Sequence, residues 1–80
     1  MPTTAFPRDE LEKLRIVEIL VRCGLTKSNG EGLRLIKDGG LTLGDARVED
    51  GNAVIEDNIL SQGAFVLRKG KKVYHRVVVG

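Results

Sequence analysis

Apolar residues recur at helical intervals over the first part of the chain. Leu11, Leu14, Val17, Leu20 and Val21 share one face of a helix that the spacing predicts from about Asp9 to Cys23. Ile16 and Ile19 widen the stripe, so this helix is expected to be buried on more than one side. Asp9 and Glu12 have the spacing of a capping box, and Gly24 is the expected stop. A second such pair, Ser28 and Glu31, opens a helix that runs to about Asp38 and ends at Gly39-Gly40. Leu33 and Ile36 supply its apolar seam. Gly30 and Gly32 each cost this helix about 1 kcal/mol relative to alanine. Two glycines in so short a helix point to a close approach, either by the first helix or by a ligand backbone.

The period then changes to two. Leu41 to Leu43 reads as a strand, and Gly44-Asp45 is a two-residue hairpin signal. Glu49 to Asn52 is an acidic turn, and residues 53–63 read as an extended piece plus a helical turn. Ala64–Arg68 and Lys72–Val79 are β-rich, with Lys69-Gly70-Lys71 as the loop between them. Strand alternation puts Val73, His75, Val77 and Val79 on one face, and Lys72, Tyr74, Arg76 and Val78 on the other. Residues 1–8 hold both prolines and show no apolar period, so they read as a linker or a non-native start. Residues 9–80 form the domain. The predicted fold is α+β: two packed helices followed by a small antiparallel sheet.

Eighty residues suffice for one small domain that buries roughly 60% of its unfolded surface. With 41% hydrophobic and 30% charged residues the chain reads as globular rather than disordered. No apolar run is long enough to span a bilayer, and the N-terminal stretch lacks the charged start and apolar core of a signal peptide. Cys23 is the single cysteine, so no internal disulfide is possible and a reducing compartment is favoured.

Enzymatic chemistry is hard to place. One histidine and one cysteine give neither a metal-ligand set nor a supported nucleophile–base pair, so no catalytic residue, metal site or cofactor is expected. His75 reads as a packed or rim residue, and Asp9, Glu12 and Glu31 as helix-start carboxylates. Basic clustering is the better signal, because net charge is only +2 and position matters more than total. Arg15, Arg22, Lys27, Arg34 and Lys37 lie on or between the helices. Arg68, Lys69, Lys71, Lys72 and Arg76 crowd the last hairpin. Arg34 and Lys37, three apart, share a helical face. Two readings fit: solvated surface charge, with Glu31 pairing Lys27 or Arg34, or a grip on a phosphate backbone. Tyr74 is likewise either a plain strand aromatic or a base-stacking residue.

The residues Arg15-Ile16-Val17-x-x-Leu20, Gly24-Leu25 and Ser28-x-x-Glu31-x-x-Arg34-Leu35-Ile36-Lys37-x-Gly39-Gly40 resemble the alpha-L RNA-binding motif, also called the S-four domain. The closing Phe65-Val66-Leu67-Arg68-Lys69-Gly70-Lys71-Lys72-Val73-Tyr74-His75 resembles the C-terminal end of bacterial-type tyrosyl-tRNA synthetases. The resemblance implies an appended, non-catalytic domain that grips the variable arm and anticodon stem of a tyrosine-specific tRNA. It also implies an ATP-dependent ligase as the parent, with the catalytic domain of that chain as a partner. The expected location is the cytoplasm of a bacterium, or a mitochondrial or plastid matrix; no membrane partner is expected. The RNA-facing candidates it implies are Arg15, Lys27, Ser28, Arg34, Lys37, Lys69, Lys71 and Lys72. The chain departs from the family pattern at Gly32, Leu33, Val17 and Gly44-Asp45, where alanine, a second arginine, aspartate and Asn-Gly are usual. A protein-interaction module, or the same domain carried by an RNA modification enzyme or a ribosome-associated factor, is the rival reading.

Overall fold

The long first helix predicted by the apolar period is in fact two helices. In the computed structural model, which describes residues 1–80, α1 covers Arg8–Leu11 and α2 covers Ile16–Arg22. The break falls at Arg15, which is extended (φ −73, ψ 156) and forms an isolated antiparallel bridge with Val54. The Ile16 and Val17 N–H groups donate to the carbonyls of Ala53 and Gly51 at 2.9 and 3.2 Å. A helix start must satisfy its orphan donors, and here a distant loop does so. Glu18 completes the start by accepting the Arg15 backbone N–H at 3.2 Å. The expected Asp9–Glu12 cap does not form: Pro7 precedes α1, and Glu12 pairs instead with Arg8 at 3.2 Å. Leu11, Leu14, Ile16, Val17, Ile19 and Leu20 are nonetheless all buried; only Val21 of the predicted stripe stays partly exposed.

Residues 1–8 are not a linker. Thr3–Phe6 forms β1, a parallel edge strand that runs from Thr3↔Arg76 to Phe6↔Val79. Phe6 is 5% exposed and anchors the strand in the core. The prolines at positions 2 and 7 flank β1 rather than interrupt it, which an edge strand tolerates. The sheet is therefore mixed rather than purely antiparallel.

The middle of the chain folds as its local signals predict. Asn29–Lys37 forms α3, with Ser28 as its cap. Leu41–Leu43 (β2) and Ala46–Arg47 (β3) make the hairpin, with Gly44 at φ +59 as a turn with glycine first requires. Asp57–Leu60 is the helical turn α4, and Ala64–Lys69 (β4) pairs antiparallel with Val73–Val79 (β5). The strand order is β1-β5-β4-β2-β3. The helices cover one face of this sheet. Val17, Ile19 and Leu20 meet Leu41, Leu67 and Val77 there, all at most 1% exposed. Each such side chain contributes about 1.5–3 kcal/mol by leaving water.

Candidate nucleic-acid interface

The site begins with the way α3 sits on α2. Ser28 Oγ accepts the Glu31 N–H at 3.2 Å and fixes the first turn. Gly32 and Ile36 form the buried face of α3. A Cβ on Gly32 would stand 3.3 Å from Val17 Cγ1 and 3.5 Å from Leu20 Cδ1, so the helices meet closely here and an alanine would need Val17 to give by a few tenths of an ångström. Gly30 has no such reason: a Cβ there would meet only Ser28 Oγ, at 3.9 Å. By helical rotation Gly30, Arg34 and Lys37 lie on the side away from Gly32, and all three are exposed. Leu33, expected in the seam, is 40% exposed because Gly32 and Ile36 make the contact.

The β4–β5 loop is tied to both ends of α3. The Lys69 ammonium donates to the Leu25 carbonyl at 2.8 Å, just before the helix. The Gly70 N–H donates to the Gly40 carbonyl at 2.7 Å, just after it. Gly70 itself takes φ +66. These two bonds anchor the loop that carries the exposed Lys71 and Lys72 to the residues flanking α3, the helix that carries Arg34 and Lys37. None of those four cations forms a salt bridge, nor does Lys27; the three ion pairs are Arg8–Glu12, Arg15–Glu18 and Arg22–Glu10. Glu31 pairs with neither Lys27 nor Arg34.

Two of the candidate residues are differently occupied. Lys69 shares the inward-facing register of Phe65 and Leu67 on β4, and its charge is spent on the Leu25 carbonyl. Arg15 lies at the opposite end of α2. Its Nε donates to Glu18 at 2.8 Å and its Nη1 to Asn52 Oδ1 at 3.0 Å, so it joins α2 to the 50–54 loop. The hydrogen bonds from Arg15 hold the Glu18 carboxyl below its usual pKa. The hollow at that end of the molecule is edged by Glu49, Asp50 and Glu56 against the single cation Arg47, a net acidic rim that disfavours a phosphate backbone.

The alternation of β5 is as expected. His75 and Val77 face the core, while Tyr74, 42% exposed, faces the other way. His75 bonds the Thr4 hydroxyl at 2.7 Å through Nε2, and burial pushes its pKa down. Cys23 is half-buried, with a thiol pushed up by burial. Arg47 was not singled out by the sequence. Its guanidinium lies against Gly39, where a Cβ would come within 3.2 Å of Cζ. Its pairing with Thr42 across the hairpin was the available signal.

A helix pair laid on one face of a small mixed sheet, with unpaired cations on a helix and the loop bound to it, defines a small basic α+β domain. Comparison with known proteins gives it a family. Residues 1–77 match the tyrosine–tRNA ligase SYY-like C-terminal domain, and the chain belongs to that family. The match starts at residue 1, so β1 lies within the family's span. The tyrosine–tRNA ligase of Clostridium botulinum (strain Hall) is 39% identical over 79 residues, 99% of this chain and 19% of the relative. That of Acetivibrio thermocellus is 40% identical over 78 residues, 96% of this chain and 19% of the relative. Tyrosine–tRNA ligase 1 of Clostridium acetobutylicum is 38% identical over 81 residues, the whole of this chain and 20% of the relative. The chain thus spans about one fifth of these relatives. No helix is long and apolar enough to cross a membrane.

Proposed function

We propose that this domain binds tRNA on behalf of a tyrosine–tRNA ligase and carries no catalytic group of its own. Lys27, Arg34, Lys37, Lys71 and Lys72 neutralise phosphates of the variable arm and anticodon stem, releasing counterions. Ser28 acts by capping α3, Lys69 by tying the loop, and Arg15 by fixing the start of α2. The ligase chemistry, driven by ATP, belongs to a catalytic domain of the same parent chain, in the cytoplasm. The appended domain's share is orientation: it holds the tRNA so that the acceptor end reaches the reacting centre. The observation that supports this best is the pair of bonds from Lys69 and Gly70, which anchor the loop bearing Lys71 and Lys72 to the residues on either side of α3.

The test is a titration with tRNA carrying a long variable arm, across a salt series. Five phosphate contacts give a slope of log K on log salt of about −4.5, or roughly a 500-fold loss between 50 and 200 mM salt. Replacing both Arg34 and Lys37 by alanine lowers the slope by about 2. Arg8→Ala, which breaks an exposed ion pair elsewhere, leaves it unchanged. Affinity that does not fall with salt refutes the mechanism.

A further inference from the structure

The face of the sheet away from the helices carries no covering element, and its charge is one-sided. The strand registers line up Arg47, Thr42, Arg68 and Tyr74 as direct cross-strand neighbours on that face. Four strands at about 4.8 Å spacing make this row about 14 Å long. In the next row Arg76 lies two residues from Tyr74 along β5, opposite Val66. Tyr74 is therefore flanked by Arg68 across the ladder and by Arg76 along the strand. All three arginines are exposed, and none has a carboxylate partner. Arg68 Nη2 donates only to the Thr42 hydroxyl, at 3.3 Å, which lays the guanidinium along the sheet. The other positions on this face are threonine, alanine and valine, with no aspartate or glutamate among them.

Arg68 and Arg76 lie on adjacent strands of this face with no acid among their neighbours there, whereas Arg47, at the far end of the row, borders the hollow edged by Glu49, Asp50 and Glu56. Like charges set close on one sheet face repel, and a polyanion would offset the Arg68–Arg76 pair. An exposed tyrosine ring among guanidinium groups adds a flat surface that phosphate alone does not use, but an unpaired base does. A duplex hides its base faces, so the matching ligand is a single-stranded or looped-out stretch of RNA.

We infer that the open sheet face is a second RNA-contacting surface, on which an unpaired base stacks on Tyr74 while Arg68 and Arg76 hold the flanking phosphates. It continues the proposed tRNA surface physically. Arg47 lies against Gly39 just past α3, and Lys71 and Lys72 lie on the loop that joins β4 to β5. The inference shares the RNA ligand of the proposed function but not its α3 contacts.

Tyr74 is the sole tyrosine and the chain has no tryptophan, so intrinsic emission reports this face alone. Titration of the 80-residue chain with a short oligoadenylate, with absorbance correction, is expected to quench that emission. An abasic strand of the same length is expected to leave emission unquenched and to bind at least about fivefold more weakly. By fluorescence anisotropy of labelled oligoadenylate, Tyr74→Phe keeps the affinity and Tyr74→Leu loses at least about fivefold. Replacing both Arg68 and Arg76 by glutamine lowers the salt slope by about 1.4 on this single strand. The pair Arg34→Ala with Lys37→Ala leaves the quenching intact, which separates this face from the helix surface. Absence of quenching, equal affinity for the abasic strand, or loss of quenching in the α3 pair would each overturn the inference.

Discussion

Lys69 offers the sharpest division between a residue that builds the surface and one that uses it. Its ammonium donates to the Leu25 carbonyl at 2.8 Å in a half-buried setting. A hydrogen bond from a charged donor is worth about 1.5–3 kcal/mol. Partial solvent access puts this one at the lower end, so Lys69→Met, which keeps the stem and deletes the charge, costs about 1.5 kcal/mol. With a urea dependence of about 1 kcal/mol per molar for so small a chain, the unfolding midpoint falls by about 1.5 M. The melting temperature falls by about 8 °C. Lys71→Met, at an exposed and unpartnered position, changes stability by less than about 0.5 kcal/mol. RNA binding reverses the order: Lys71→Met lowers the salt slope by about 1, whereas Lys69→Met weakens binding with the slope nearly unchanged. Urea unfolding by circular dichroism and a salt series with tRNA, run on both variants, decide the matter. If Lys69→Met lowers the slope as Lys71→Met does and leaves the midpoint in place, the tie to Leu25 is not what holds this loop.

Gly30→Ala is expected to raise stability by about 1 kcal/mol, because helix propensity improves and the site is open. Gly51→Ala is expected to lower it by about 1–3 kcal/mol, since its Cβ would fall 2.7 Å from Val17 Cγ1 and 2.8 Å from Ile36 Cδ1; thermal melts of the two variants check both signs. Acidification should destabilise the fold in two windows. The lowered pKa of His75 means the unfolded chain takes up its proton first. Its stabilising share is complete above about 6.5 and is lost as pH falls through the lowered folded value. Glu18, lowered from 4.5, gives a share present above that value and lost in the more acidic window. Urea midpoints measured from neutral to acid pH should show both, and His75→Gln should remove the first.

What was legible in the sequence was local. The Ser28 cap, the Gly39 stop, the Gly44 turn and the alternation of β5 each depend on residues a few positions apart, and each forms as read. The outward pairing of Arg34 and Lys37 follows from helical spacing alone. What was not legible depends on distant partners. α2 starts at Ile16 because carbonyls from Gly51 and Ala53 meet its first amides. β1 exists because β5 offers it a free edge, some seventy residues along the chain. Lys69 looked like a free cation because its acceptor, Leu25, lies far off in sequence, whereas the pairing of Arg15 with Glu18 was within reach of the spacing and only its bond to Asn52 was not. Spacing identifies charges; only the fold says which of them are already spent.

That distinction also explains how a chain of net charge +2 can present a strongly cationic surface. The three ion pairs remove three cations and three anions, all from the α1–α2 region, leaving ten and eight. Eight of those ten cations lie in residues 27–37 or 68–76, while four of the eight anions lie in residues 49–57. The acidic segment bonds to the start of α2, at Ile16 and Val17, and the basic loop bonds just beyond its end, at Leu25. Seven helical residues set these two attachment points at least about 10 Å apart. That separation is about one screening length at physiological salt, so the two regions act on a ligand largely as independent fields. A nucleic acid approaching this domain is drawn to one end and repelled from the other, so the charge pattern selects orientation before any contact forms. Charge balance across the whole chain is then no argument against RNA binding, because half of the unpaired acids are gathered in residues 49–57, apart from the two basic segments.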